Sequence, residues 1–168
     1  FEFLKSATKR TAKVTIPSPT MLHFRGGRGA ISREAYPDIE EFFDDVVHIY
    51  RNEIQALHAV GGRYLQIDEV AQTLLCDQKL RDAVRARGDD PERLLALYID
   101  LINRAVRERP PGMTVGVHMC RGNAMGKWIA EGGYERIAEK SFSRMEVDSF
   151  FLEFDSERAG GFQPLRFV

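Results

Sequence analysis

The sequence predicts an α/β fold and, within that class, part of a (βα)8 TIM barrel. Four short apolar or β-branched runs stand apart along the 168 residues, and each gap between them carries a helical pattern. No hairpin signal joins them, which favours parallel strands connected by right-handed crossovers. The runs begin near residues 12, 64, 114 and 149, so four consecutive βα units fill most of the chain and eight would need about twice its length. We therefore expect one partial barrel domain over residues 1–168, incomplete at both ends.

The predicted strands are Ala12 to Pro17, Tyr64 to Asp68, Thr114 to Cys120 and Ser149 to Phe154. An open doubly wound sheet is the alternative that a chain of this length allows. The familiar signal of that fold is a Gly-rich phosphate loop after the first strand. The segment PSPTMLHFRGGRG, which follows the first strand here, contains neither G-x-G-x-x-G nor a Walker sequence. The sequence thus favours half a barrel.

The helices are predicted from apolar spacing and from signals at their ends. The clearest spans about Ile39 to Leu57, where apolar residues recur every three or four positions, acidic residues fill the first turn and a glycine pair supplies the stop. Another begins after Asp90-Pro91, an N-cap with proline at the first helical position. Shorter helices are predicted over Gln78 to Ala86 and around Tyr134 to Met145.

Composition excludes several classes of protein. The chain has 24 Lys and Arg against 25 Asp and Glu, a net charge of −1, so we expect neither a nucleic-acid partner nor an anionic membrane. Hydrophobic residues make up 43%, too many for a disordered chain, and no run approaches the roughly 18 apolar residues of a membrane span. Only two cysteines, Cys76 and Cys120, are present. This excludes a disulfide-dense secreted scaffold and, with no export signal visible, favours the cytoplasm.

Polar residues stand at the carboxyl ends of the strands, where parallel α/β folds place their chemistry. His118 and Cys120 share one face of the third strand, about 6.5–7 Å apart, a span that one metal ion can bridge. Imidazole and thiolate together favour zinc. Glu153 lies in the apolar run FFLEF, where it needs a cation, a metal or a hydrogen bond, and from the next strand it can reach the same metal. Gln66 and Asp68 share a face of the second strand, and Asp68 is a candidate for holding a substrate ammonium group or another cation.

These residues also have structural interpretations. An H-x-C sequence on a strand can arise by coincidence, Glu153 can be an edge-facing charge, and Asp68 can cap the helix that follows it. Cys76 lies in the segment LLCD and is expected to be a buried apolar thiol. His48 and His58 belong to the long helix and are expected on its solvent side or boundary.

The loop TMLHFRGGRG permits two interpretations. We expect a mobile lid in which Arg25 or Arg28 binds a substrate carboxylate, because arginine binds such groups with two hydrogen bonds. A single RGG element in a neutral chain is the weaker alternative, an RNA contact. His23 lies in the same loop and is harder to assign to a structural role. Trp128, the only tryptophan, either stacks on a flat ligand or seals the rim of the barrel.

The runs KVTIPSPTMLHFRGG, RYLQIDE, HMCRGN, AEGGYE and FFLEFD together resemble the catalytic barrel of the cobalamin-independent methionine synthase family, specifically its short, single-barrel methionine synthase II-like members. The resemblance covers nearly the whole chain. It implies a (βα)8 barrel whose catalytic zinc is held by His118, Cys120, Glu153 and a second cysteine, for which this sequence has no matching position before Val168. The family's aspartate that contacts the amino group of homocysteine matches Asp68.

The activity implied by the resemblance is S-methyl transfer from methyltetrahydrofolate or a related donor to the thiol of homocysteine, which forms methionine. Zinc would keep that thiol deprotonated and nucleophilic. The partners implied are the thiol substrate and the methyl donor, and an oligomer is compatible with them. Zinc-dependent alkyl transfer to another thiol, such as coenzyme M, uses the same pair of His and Cys ligands in an H-x-C sequence and is an alternative activity. A non-catalytic, zinc-stabilised binding module is the alternative from a different class. The zinc-free uroporphyrinogen decarboxylases are more distant relatives, against which His118 and Cys120 argue.

Overall fold

A computed structural model describes all residues from 1 to 168 and shows a mixed α/β chain built on one parallel sheet. The sheet has four strands, and a separate two-stranded antiparallel hairpin follows its third strand. In chain order the strands are β1 (Lys13–Pro17), β2 (Tyr64–Asp68), β3 (Thr114–Met119), β4 (Asn123–Ala124), β5 (Lys127–Trp128) and β6 (Ser149–Leu152). The four predicted strands are therefore confirmed, with β3 and β6 ending one and two residues earlier than expected.

Seven α-helices and four short 3-10 helices connect these strands. The α-helices are α1 (Glu2–Ser6), α2 (Met21–Phe24), α3 (Ile39–Ala59), α4 (Ala71–Leu74), α5 (Gln78–Ala86), α6 (Pro91–Val106) and α7 (Ala138–Arg144). The 3-10 helices span Gly27–Ala30, Tyr134–Arg136, Glu157–Ala159 and Gln163–Phe167. None of the helices is long and apolar enough to cross a membrane.

The long helices begin where their capping residues predict. The Asp90 carboxylate accepts hydrogen bonds from the backbone N–H groups of Glu92 and Arg93, at 2.9 and 2.8 Å, with Pro91 in the first turn. Asp38 caps α3 in the same way through the N–H of Glu40. Each cap satisfies N–H groups that have no partner inside the helix. The sequence prediction of α3 and α6 is confirmed.

The strand order in the main sheet is β1-β2-β3-β6, and every neighbouring pair is parallel. Strands that are consecutive in the chain are thus neighbours in space, and the order does not reverse within the sheet. An open doubly wound sheet has such a reversal, at which it binds its ligand. The sequential order is that of consecutive units of a (βα)8 barrel.

The two faces of this sheet differ in burial. Residues that alternate along the two central strands are fully buried: Leu65, Ile67, Val115, Val117 and Met119. They share one apolar cluster with residues of α3 and α6, so we call this side the helix-covered face. Of the residues between them, Gln66, Asp68 and His118 are half-buried and Gly116 is buried, while Thr15 on β1 is exposed. We call this second, less buried side the open face; it carries the polar residues at the strand ends.

The hairpin of β4 and β5 was not predicted. Its two-residue turn, Met125-Gly126, has positive φ at both positions, 51° and 78°. This combination matches the right-handed twist of paired strands and normally selects Asn-Gly or Asp-Gly. Methionine is an unusual first residue of such a turn, so the usual sequence signal is missing. The hairpin carries Trp128 and the fully exposed Met125 outward from the end of β3.

Candidate functional site

Asp68 and His118 lie side by side at the carboxyl ends of β2 and β3. They are paired in the register of the two parallel strands, and Phe151 of β6 continues the row. His118 Nε2 is 3.8 Å from Asp68 Oδ1, with 34% and 45% of the two side chains exposed. Both side chains belong to the open face, so a ligand there can reach them. The structure thus brings together two of the strand-end residues that the sequence nominates.

Cys120 follows β3 by one residue and is half-buried next to His118. Hydrogen bonding with the His118 side chain lowers the pKa of the Cys120 thiol, and the backbone N–H of Gly122, 3.4 Å from Sγ, acts in the same direction. The same interaction with Cys120 raises the pKa of His118, with a further contribution from the charge of Asp68. A thiolate beside an imidazolium is a reactive pair and a good metal-binding pair once the imidazole gives up its proton.

Glu153 lies just beyond β6 on the same side as Cys120, yet its carboxylate is engaged elsewhere. Oε2 accepts the backbone N–H of Arg121 at 2.7 Å, and Oε1 pairs with the Arg158 guanidinium. As a result, no group of three or more His, Cys, Asp or Glu side chains is arranged to hold one metal ion. His118 and Cys120 fit zinc by chemistry and position. Glu153 fits by chemistry and by its place in the chain, but it must first release Arg158.

Arg121 is a site residue that sequence reasoning passed over, although it stands in the HMCRGN run. Its side chain is fully buried and lies 3.8 Å from the centre of the Tyr134 ring. The guanidinium donates to the carbonyl oxygens of Gly132 and Ala159, at 2.8 and 2.9 Å. It thereby ties together the segments that follow β3 and β6. The clamp fixes the backbone that carries Cys120 and Glu153.

A cleft of about 560 Å³ opens beside Asp68. Its wall is formed by Ser18, Met21, Leu22 and Arg25 from the segment after β1, with Tyr50 of α3 and Val70 opposite. A second cleft of about 340 Å³ shares Met21, Arg25 and Val70 with the first and extends to Gly122 and Asn123. Arg25 is exposed and lines both clefts, which gives a cation at the boundary between the Asp68 side and the Cys120 side.

Glu69, adjacent to Asp68, is completely buried and anchors the wall of the larger cleft. Its carboxylate accepts hydrogen bonds from Ser18 Oγ at 2.5 Å, Thr20 Oγ1 at 2.6 Å and the backbone N–H of Gln72 at 2.7 Å. Burial raises the pKa of Glu69 against the opposing effect of these hydrogen bonds. Sequence reasoning assigned it no role. The strand alternation that pairs Gln66 with Asp68 was a usable signal, because it puts Glu69 on the side of Leu65 and Ile67.

Other residues nominated from the sequence have structural partners. Gln66 Oε1 accepts a hydrogen bond from Lys13 Nζ at 2.8 Å on the open face. The Arg28 guanidinium donates to the carbonyl oxygens of Ile31, Tyr36 and Pro37, so in this structure it organises its own loop rather than facing a cleft.

His23 is buried, and its Nδ1 lies 2.9 Å from the Tyr98 hydroxyl oxygen. Burial lowers the pKa of His23, as expected of an imidazole in the core. Cys76 is buried with a thiol pKa raised to about 12 by burial, which confirms it as an apolar thiol. His48 is exposed and His58 is half-buried, as expected for boundary residues of α3. Trp128 is half exposed, and the Arg158 guanidinium lies 5.4 Å from the centre of its ring.

Some of the known proteins to which this chain is similar are named methionine synthase, and others are uncharacterized. No family model matches the chain. The uncharacterized protein YxjH of Bacillus subtilis is 44% identical over the whole chain, which spans 44% of that protein. The methionine synthase of Pyrococcus furiosus is 31% identical over 72% of the chain, equal to 27% of that protein. Proteins named methionine synthase are therefore distant homologues of this chain.

A solved structure agrees with the sequence comparison. A protein of Listeria monocytogenes with the provisional name vitamin-B12 independent methionine synthase superposes with a TM-score of 0.73 at 38% identity. The match covers 92% of this chain and 43% of that one. The chain thus spans less than half the length of the relatives that it matches, and its parallel sheet is consistent with part of a TIM-barrel-like fold.

Proposed function

We propose that this chain is about half of the (βα)8 barrel of a zinc-dependent methyltransferase that methylates the thiol of homocysteine. The observation that carries the proposal is the cluster of Asp68, His118 and Cys120 at the ends of neighbouring parallel strands. Active sites of (βα)8 barrels lie at this end. Homology to proteins named methionine synthase supports a methyl-transfer role, and the sequential strand order supports the barrel.

The proposed metal ligands in this chain are His118, Cys120 and Glu153. The lowered pKa of Cys120 favours the thiolate that a metal requires, and a neutral His118 supplies a nitrogen ligand. Glu153 joins them after its carboxylate leaves Arg158. Bound zinc would supply a positive charge that keeps a substrate thiol deprotonated near neutral pH.

The proposed substrate contacts are ionic. Homocysteine carries an ammonium group, for which Asp68 provides a half-exposed carboxylate at the mouth of the larger cleft. It also carries a carboxylate, for which Arg25, another residue that lines this cleft, provides a guanidinium. Holding both groups would orient the sulfur toward the Cys120 side, where the new sulfur–methyl bond forms as the methyl group leaves its donor. Methyltetrahydrofolate, or a related methyl donor, is the proposed source of that group.

The experiment that tests this function compares two thiols and one substitution. We expect the whole protein that contains this half-barrel to methylate homocysteine, and we expect Asp68→Asn in it to lower kcat/KM for homocysteine by roughly 10- to 100-fold, the value of a hydrogen bond to a charged group. The matched thiol, 4-mercaptobutyrate, has the same carbon chain and carboxylate but no ammonium group. It should lose little on the same substitution. Equal losses for both thiols contradict the role of Asp68, and methylation of neither thiol by the wild-type protein contradicts the function.

A further inference from the structure

The ends of β2, β3 and β6 gather groups that carry negative charge. Asp68 and Glu153 are carboxylates, and Cys120 binds a metal as its thiolate. Such groups repel one another at short range unless a cation lies among them. In this structure the cation that contacts Glu153 is the Arg158 guanidinium. Both side chains are largely buried, at 14% exposure for Glu153 and 25% for Arg158, so the pair is only partly screened by water.

Arg158 is held by few other contacts. Its Nη1 donates to Ser156 Oγ at 2.6 Å, and its guanidinium lies 5.4 Å from the centre of the Trp128 ring. Its Nε is buried without a hydrogen-bond partner. The residue belongs to the short 3-10 helix Glu157–Ala159 near the surface. The loss of the Glu153 pair would therefore leave Arg158 with an aromatic face to rest on and an unsatisfied donor free to reach water.

Glu153 is anchored differently, because its backbone and its Oε2 atom are held by other groups, while Arg158 is the partner of Oε1; Oε2 accepts the backbone N–H of Arg121 at 2.7 Å. Its N–H donates to the Tyr134 hydroxyl oxygen at 2.9 Å, and its carbonyl oxygen accepts from Arg121 Nη1 at 3.3 Å. Tyr134 and Arg121 are both fully buried. Release of Arg158 consequently frees Oε1, while the main chain and the hydrogen bond from the Arg121 N–H to Oε2 remain in place.

We propose that Arg158 is an exchangeable counter-ion at this site: a divalent cation bound by His118 and Cys120 takes the Glu153 carboxylate, and the guanidinium turns away from it. The inference rests on the metal site of the proposed function and adds a residue that competes with the metal. Arg158 balances the charge of Glu153 when no metal is bound. Metal affinity is then set in part by the strength of the Glu153–Arg158 pair.

The sign of the change in zinc affinity distinguishes a competing Arg158 from one that orients the Glu153 carboxylate for the metal. Ligating carboxylates are often hydrogen-bonded by a neighbour that orients them, and removal of such a neighbour typically weakens metal binding by 10- to 100-fold. If Arg158 exchanges with the metal, its removal strengthens binding instead. A hydrogen bond to a charged group is worth enough that we expect about 10- to 100-fold tighter zinc binding.

The first measurement is zinc affinity by competition with a chromophoric chelator. It compares wild type with Arg158→Met, which replaces the unbranched stem of the side chain by one of similar shape and removes the charged guanidinium. Arg166→Met is the matched control, since Arg166 is exposed, donates to the carbonyl oxygen of Gln163 and packs on Phe167. It produces the same change in net charge on the same terminal segment. We expect tighter binding for Arg158→Met, wild-type binding for Arg166→Met, and an intermediate affinity for Arg158→Lys, because an ammonium group cannot reproduce the guanidinium fork.

The second measurement uses Trp128 in the unaltered site. A change in the position of the guanidinium relative to the indole should change the Trp128 fluorescence, so zinc should shift the Trp128 emission of wild type in proportion to occupancy. The Trp128→Phe variant gives the background to subtract. The Arg158→Met protein should bind zinc without this shift. This readout does not depend on any Arg158 variant being well folded.

The outcomes separate this inference from the proposed function. Tighter zinc binding by Arg158→Met than by wild type, together with a zinc-dependent Trp128 signal in wild type, supports the exchange. Zinc binding by Arg158→Met when wild type binds no zinc also supports it. Wild-type zinc binding that depends on Cys120, with equal or weaker binding by Arg158→Met, overturns the exchange and leaves the metal site standing. Absence of zinc binding by both proteins overturns the exchange and the metal site together.

Discussion

The two faces of the parallel sheet differ in burial and in polarity, so the same strands contribute to the core on one side and to the candidate site on the other. On the helix-covered face, Leu65 and Ile67 are completely buried, whereas on the open face Gln66 and Asp68 are half-buried and reach polar partners. Successive side chains of a strand point to opposite faces. Neighbouring residues of β2 therefore have different roles although they share one backbone.

The two cysteines extend this comparison. Burial raises the pKa of the Cys76 thiol to about 12, so it stays protonated among apolar groups. The His118 side chain lowers the pKa of the Cys120 thiol at the edge of the open face. A cysteine becomes reactive through a nearby positive group and access to a ligand rather than through its identity alone.

The largest effect that separates the two faces should be on stability. Ile67→Ala removes completely buried methyl groups and should lower the free energy of unfolding by about 2–5 kcal/mol, as is typical of large-to-small changes in a core. Gln66→Ala, one residue away on the open face, should cost at most about 1 kcal/mol, since it gives up a single hydrogen bond to Lys13. Urea unfolding of both variants checks this. Similar losses would show that the open face is as tightly packed as the helix-covered one.

The next effect should be on metal binding and should distinguish the cysteines. Cys120→Ser should weaken zinc binding by at least about 100-fold, because loss of a ligand costs more than loss of a residue that only orients one. Cys76→Ser should leave zinc affinity unchanged and lower stability by about 1–3 kcal/mol, the cost of burying a hydroxyl without a partner. Zinc titration and urea unfolding of both variants measure the two quantities. Retention of full zinc affinity by Cys120→Ser would remove this residue from the metal site.

Sequence reasoning recovered the features that depend on periodicity. The strands, the helices α3 and α6 and the shared position of Asp68, His118 and Cys120 all follow from spacing and from the rule that parallel strands end together. The alternation in β2 was also sufficient to separate Asp68 from Glu69. Applied one residue further, it indicates that Glu69 points into the buried side, as the structure shows.

Features outside the periodic elements could not be predicted in this way. Glu153 pairs with Arg158, which lies in the non-periodic segment after β6, where no pattern indicates which side chains meet. The Arg121 clamp depends on carbonyl oxygens of two separate loops, and a sequence does not reveal the positions of carbonyl groups. A pattern of residue types thus nominated the metal ligands, while the contacts that control Glu153 required the structure.

The smallest effect should be a pH dependence of stability that comes from Glu69. Because burial raises the pKa of Glu69 in the folded protein, the folded state binds its proton more tightly than the unfolded chain, in which the pKa is about 4.3. Its contribution to stability is therefore greatest below that value and is lost as the pH rises through the raised pKa. Its contribution can be isolated with one substitution.

Glu69→Gln keeps the size of the side chain and removes the titration. The free energy of unfolding of wild type should thus fall relative to that of Glu69→Gln as the pH rises from about 4 towards neutrality, with a slope of at most about 1.4 kcal/mol per pH unit for one proton. Urea unfolding across this range measures that difference, and all other titrating groups cancel because both proteins share them. A difference that is constant with pH would mean that the hydrogen bonds from Ser18, Thr20 and Gln72 offset the burial of the charge and that the helix-covered side accepts a carboxylate without penalty.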